Sequence, residues 1–133
     1  VTAGAWTLTV DIPSNEWLSA NGRYGHYKAR AGRVMRLRRR AAVLARSQGL
    51  APCVGRVRIV ATVHGRARGI SDPNNAADST KAIVDGLRDA RVLADDDHTH
   101  VVGPDHRHGE PLPRELPRGW HRIVLTITPE GKQ

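Results

Sequence analysis

Residues 6–12 alternate apolar and polar side chains, with Trp6, Leu8, Val10 and Ile12 set against Thr7, Thr9 and Asp11. A period of two with β-branched residues predicts a half-buried strand, and Pro13 ends it. Residues 14–25 are rich in Ser, Asn and Gly and predict a loop. From about residue 27 to 48 the period lengthens. Val34, Leu37, Ala41 and Leu44 recur at helical spacing and predict a buried stripe, and Gly49 suits a helix terminator. Residues 56–64 alternate again through Val57, Ile59, Ala61 and Val63. A loop over 65–75, with a turn at Asp72-Pro73, leads to a second helix. It begins near Ala76 or Ser79 and ends near Ala90, with Ile83, Val84 and Leu87 as its core face. After a short acidic turn, residues 98–103 read as a strand. Residues 104–119 hold four prolines and read as a loop. Residues 120–128 alternate through Ile123, Leu125 and Ile127 and form the last strand.

The predicted order is β-α-β-α-β-β. The fold class is α+β (mixed α/β), a small mixed sheet of about four strands packed with two main helices. The 133 residues suit one domain spanning 1–133. With no Phe in the chain, the core must be built from Val, Leu, Ile and Ala. Cys53 is the only cysteine, which excludes an internal disulfide and a cysteine-based zinc finger. It points to a reducing cytoplasm. No apolar run has the length of a membrane span, and residues 1–12 lack the layout of a signal peptide.

Charge changes the picture. The formal net charge is +8 and the pI about 11.0, a balance suited to a polyanionic partner such as DNA. On the first helix Arg33, Arg36 and Arg40 share one face, with Arg30, Arg38, Arg39 and Arg46 on its flanks. Arg66 and Arg68 approach the next loop. These five, Arg33, Arg36, Arg40, Arg66 and Arg68, are the candidate phosphate-gripping residues. A solvated helix face is the plainer reading of the same pattern. Trp17, Tyr24 and Tyr27 are candidates for base stacking or for ordinary packing.

Against this basic background, seven of the 13 acidic residues fall between Asp72 and Asp97. On a wheel of ~3.6 residues per turn, Asp78, Asp85 and Asp89 lie close to one line, with Lys81 beside them. Carboxylates gathered in a basic chain suit Mg²⁺ or Mn²⁺, and such an ion can activate water for attack on a phosphodiester. A nearby lysine can then neutralise charge developing on the phosphate. An acidic helix face with an i,i+4 pair is also a common solvated arrangement. His98-x-His100 and His106-x-His108 invite a zinc reading, but no accompanying ligand signature is present. His98, beside the acidic turn, is a weaker candidate for proton transfer.

The stretch Asp72-Pro73-Asn74-Asn75, Lys81, Asp85-Gly86-Leu87 and Val92-Leu93-Ala94-Asp95-Asp96 resembles the RusA-like Holliday junction resolvases. Their pattern runs Asp-x-Asp-Asn, Lys, Asp-(Ala/Gly)-Leu and then an acidic pair. Pro13-Ser14-x-x-Trp17 is similar to the family's opening after its first strand. The resemblance implies a structure-selective endonuclease that works as a homodimer on four-way DNA junctions, with Mg²⁺ or Mn²⁺ and paired symmetric nicks. It implies Asp72, Asn74 and Asp96 as metal ligands, Lys81 as the phosphate-facing lysine, and Asp85 and Asp95 as auxiliary carboxylates. Two departures stand out. Asn74 takes the place of the family's second aspartate, and Lys81 follows about three residues late. Asp78 lies within that insertion and is a substitute ligand. The departures leave open a catalytically degenerate relative that binds DNA junctions without cutting them. An unrelated basic RNA-binding or phage structural protein is a third reading. Arginine- and alanine-rich composition suits a bacterial or phage recombination protein, acting in the bacterial or infected-host cytoplasm.

Overall fold

The computed structural model describes residues 5–19, 25, 27–65 and 72–130. Its elements run β1 (Trp6–Ile12), α1 (Tyr27–Ser47), β2 (Val57–His64), a short 3-10 helix (Pro73–Ala76), α2 (Ala77–Asp89), β3 (Val101–His108) and β4 (His121–Pro129). The strands form one mixed sheet in the order β1-β4-β2-β3. β4 lies antiparallel to both β1 and β2, whereas β2 and β3 are parallel. The architecture is therefore α+β, with the β-α-β-α-β-β order that the hydrophobic pattern predicts.

The alternating positions become a core. Leu8, Val10, Ile12, Val57, Ile59, Ala61, Ile123, Leu125 and Ile127 are all buried on one face of the sheet. The helices close that core with Leu37, Ala41 and Ala45 from α1 and Ile83, Val84 and Leu87 from α2. Val34 and Leu44 of the predicted stripe are only partly buried, and small alanines make the close contact instead. The reason lies at Gly86. A Cβ there would stand 2.8 Å from the Ala41 Cβ and overlap the Arg38 carbonyl oxygen. The absent side chain lets α2 approach the α1 backbone directly. No helix among the described residues is long and apolar enough to cross a membrane.

β3 departs from expectation. The pattern placed a strand at 98–103 and a loop at 104–119, but the strand is Val101–His108. Residues 98–100 are held in a turn, because Asp97 accepts hydrogen bonds from the Thr99 amide at 3.0 Å and the Thr99 hydroxyl at 2.5 Å. The Asp97 carboxylate also meets His100 Nδ1 at 2.7 Å. Pro104 is tolerated because β3 is an edge strand and needs ladder bonds on one side only. Gly103, at φ +99°, absorbs a register shift between Arg58 and Val60 of β2. The 3-10 turn at Pro73–Ala76 stands where a loop was expected. Asp72 caps it by accepting the Asn74 amide at 2.9 Å.

The other sheet edge is guarded. The Gln48 side chain accepts from the Thr9 amide at 3.2 Å and donates to the Thr9 carbonyl at 3.0 Å, the pairing a neighbouring strand would make.

Gly86→Ala forces the two helices apart. The overlap outweighs the gain in helix propensity, and stability falls by about 1–3 kcal/mol. Urea denaturation measures the change.

Candidate phosphodiester site

The acidic stretch does not form one cluster. Its carboxylates are divided among different partners. Asp78 pairs with Arg30 of α1 at 3.1 Å, and Asp89 takes a two-pronged contact from Arg38 at 2.5 and 2.7 Å. The Arg38 guanidinium holds the Asp89 carboxyl below the usual range, and Asp89 raises Arg38 in turn. Asp78 is therefore engaged with α1. Asp97 serves its own turn: hydrogen bonds from Thr99, then His100, bring it down to about 2.

What does converge is Lys81, Asp85 and Asp96. Lys81 Nζ lies 3.8 Å from Asp85 and 3.7 Å from Asp96. Arg88, unassigned from the sequence, sits 3.3 Å from Asp96 and 3.5 Å from Asp95. The Asp96 amide donates to Asp95 Oδ1 at 2.7 Å, which fixes the acidic turn. Burial works against the charge on Asp96. The contact with Asp95, the charges of Lys81 and Arg88, and the contact with Asp85 outweigh it, so Asp96 lies below the usual carboxylate range. Lys81 remains largely exposed, with 72% of its side chain accessible, and is held only at these longer distances.

Of these groups Lys81 and Asp96 border a cavity of about 330 Å³, lined also by Ala77, Thr80, Val84 and residues of β3 that include His106. His106 Nε2 lies 3.0 Å from the buried Thr80 hydroxyl. Burial pushes the His106 imidazole down, against the pull of Asp105 and Asp72. The 3-10 turn that Asp72 caps packs against β3. Asp72 and Asn74 are exposed. One oxygen of Asp72 is committed to capping.

Among the described residues, no group of three or more His, Cys, Asp or Glu side chains stands ready to hold a metal ion. A closed protein cage is therefore not what these donors offer. Mg²⁺ demands less, since one or two carboxylates suffice when water and substrate phosphate complete the shell. Of the expected ligands, Asp96 lines the cleft, while Asp72 and the neutral amide of Asn74 belong to the 3-10 turn ahead of α2 and are not part of that lining.

The basic helix is allocated differently from its surface pattern. Arg33 donates to the carbonyls of Ser14 and Trp17 at 3.1 Å each. Arg40 grips Glu16 at 2.7 and 2.8 Å, and Glu16 is nearly fully buried. These two arginines fasten the segment after β1 to α1. Trp17 is stacked on His121 at 3.8 Å, so it serves packing. Arg36, Arg39 and Arg46 face outward. Arg66, Arg68 and Tyr24 lie outside the described residues, and Tyr27 opens α1 with its ring exposed. His98 is exposed in the turn, and His98 and His100 do not align on a strand. No family model matches the chain, and no curated protein matches it.

Removing Arg40 strands the Glu16 carboxylate in a buried position, which costs on the order of 3 kcal/mol. Arg40→Ala therefore unfolds at clearly lower urea concentration, whereas Arg36→Ala stays within roughly 0.5 kcal/mol of the parent. Equal effects of the two substitutions would contradict this division of roles.

Proposed function

We propose that this chain is a metal-dependent endonuclease for branched DNA, a RusA-like resolvase that nicks four-way junctions in pairs as a homodimer. The observation that carries the reading is Lys81 of α2 standing 3.8 Å from Asp85 of its own helix and 3.7 Å from Asp96 of the following turn, with Lys81 and Asp96 lining one cleft. The resemblance in sequence assigns roles to the same residues independently of their positions in space. The reading places the protein in the cytoplasm of a bacterium or a phage-infected host.

The chain's own groups divide the work. Lys81, exposed and loosely held between two carboxylates, turns to the scissile phosphate and offsets charge that grows in the transition state. Asp85 and Asp95 hold Lys81 and the acidic turn in place. Asp72 and Asp96, with Asn74 beside Asp72, would hold Mg²⁺ or Mn²⁺, which supplies positive charge at the phosphate and lowers the pKa of water. Attack by water makes the new P–O bond as the bond to the leaving oxygen breaks. The outward arginines of α1, Arg36, Arg39 and Arg46, track the DNA backbone.

A second reading keeps the DNA and loses the chemistry. It is favoured by Asn74 and by the ion pairs that Lys81 and Arg88 make with the two oxygens of Asp96. In that case the site is a neutralised remnant on a junction-binding module.

A labelled four-way junction incubated with Mg²⁺, Mn²⁺ or EDTA separates the two readings. Paired cuts that require metal are expected. In Asp96→Asn they fall by more than the roughly 10–100-fold that loss of a ligand's supporting partner costs, while junction binding is retained. Tight binding without cuts under any metal would establish the degenerate module instead.

Binding weakens steeply with salt. Replacing Arg36, Arg39 and Arg46 together by Gln reduces the slope of log K against log salt by about 0.9 for each phosphate that is no longer neutralised. An unchanged slope removes α1 from the DNA interface.

A further inference from the structure

His106 has no role in the scheme above, yet it lines the same cavity as Lys81 and Asp96. β3 brings it there. The shift at Gly103 sets His106 opposite Ala61, whose side chain is buried on the helix-covered face of the sheet. The ring is fastened at one nitrogen and open at the other. Nε2 meets Thr80 Oγ1 at 3.0 Å. Nδ1 has no hydrogen-bond partner among the described residues and is not among their enclosed unsatisfied atoms.

Thr80 decides which nitrogen carries the proton. Its side chain is 1% exposed, and its hydroxyl has one proton to place. His106 Nε2 is the hydrogen-bond partner the structure gives that hydroxyl among the described residues. Buried hydroxyl protons do not go unplaced at a cost of about 1–3 kcal/mol when an acceptor is adjacent. Thr80 therefore donates to Nε2, and the neutral ring carries its own proton on Nδ1. Burial favours the neutral imidazole over the imidazolium; the choice between its two tautomers rests on Thr80.

We propose that His106 Nδ1–H is a hydrogen-bond donor to a non-bridging oxygen of the phosphodiester in the cleft, with Thr80 as the group that orients it. The proposal rests on reading the cleft as a phosphodiester site. Lys81 supplies charge there, and His106 supplies direction. A neutral N–H adds a fixed donor without placing a second cation against Lys81. His106 thus selects for a ligand with anionic oxygens and one defined orientation, a property a flexible lysine does not confer.

The test uses full-length protein with ¹⁵N-labelled histidine. Nitrogen shifts at neutral pH should show His106 protonated at Nδ1, and titration with a thymidine dinucleotide should move that signal. His106→Ala should weaken junction binding roughly 10-fold or more, the range for a hydrogen bond to a charged group. Thr80→Val should give a smaller loss, and the double variant should be no worse than His106→Ala alone, because both act through one bond. A merely structural histidine would lower stability but leave Nδ1 unmoved by the dinucleotide. If the protein binds and cuts junctions while Nδ1 does not respond and His106→Ala binds normally, the assignment of His106 falls and the reading of the cleft stands. If the protein neither binds nor cuts DNA, and the dinucleotide leaves the signal in place, both fall together.

Discussion

The contact on which the rest depends is the approach of α2 to α1 at Gly86. Interhelical distance is set by the side chains at the crossing, and here one partner has none. The other is an alanine, Ala41. With the backbones this close, Arg30 and Arg38 of α1 reach Asp78 and Asp89 of α2 at hydrogen-bonding distance. The same approach fixes the rotation of α2 about its axis. Ile83 and Leu87 then meet the sheet, Thr80 and Val84 turn toward β3, and Lys81 and Arg88 stand above the acidic turn. A small change at one glycine would therefore propagate to every group around the cleft.

The arginines show how far a pattern on a helical wheel can be from a surface. Counted on the wheel, the arginines of α1 make one broad cationic face. In the fold they divide among three tasks: two bind acids of α2, two fasten the segment after β1, and the remainder face solvent. The division follows from reach. An arginine beside a carbonyl or a buried carboxylate satisfies it at less cost than leaving that group unpaired. Basic composition therefore builds the scaffold as well as the electrostatic field.

Much of the fold was legible because strong periodicity reflects burial on one side. β1, α1 and β2 appear within a residue or so of their expected limits, since Leu8, Val10 and Ile12, or Ile59 and Ala61, have no other way to be buried. The limits of β3 were misplaced for a definite reason. Its Gly103-Pro104 step carries the local chemistry of a turn, and only the edge position and the neighbouring β2 make an extended conformation favourable. The side chain of Asp97 also removes residues 98–100 from the strand, a local competition that alternation cannot reveal. The site was legible in part. Lys81 and Asp96 were visible as residue types in order. Arg88 left one faint signal, a base in the last helical turn just ahead of an acidic pair. The contact of Thr80 with His106 left none, because it depends on the parallel pairing of β2 with β3.

The strength of the ion pairs around Asp96 bears directly on what the cleft can do. Lys81 and Arg88 stand 3.7 and 3.3 Å from it, on partly exposed side chains. Exposed pairs of this kind contribute little, at most about 1 kcal/mol each. They are weak enough to yield when a phosphate offers Lys81 a second anion. On the proposed reading the decisive quantity is the cost of releasing Arg88, since Lys81 would leave Asp96 for the phosphate while Arg88 is tied to Asp95 as well.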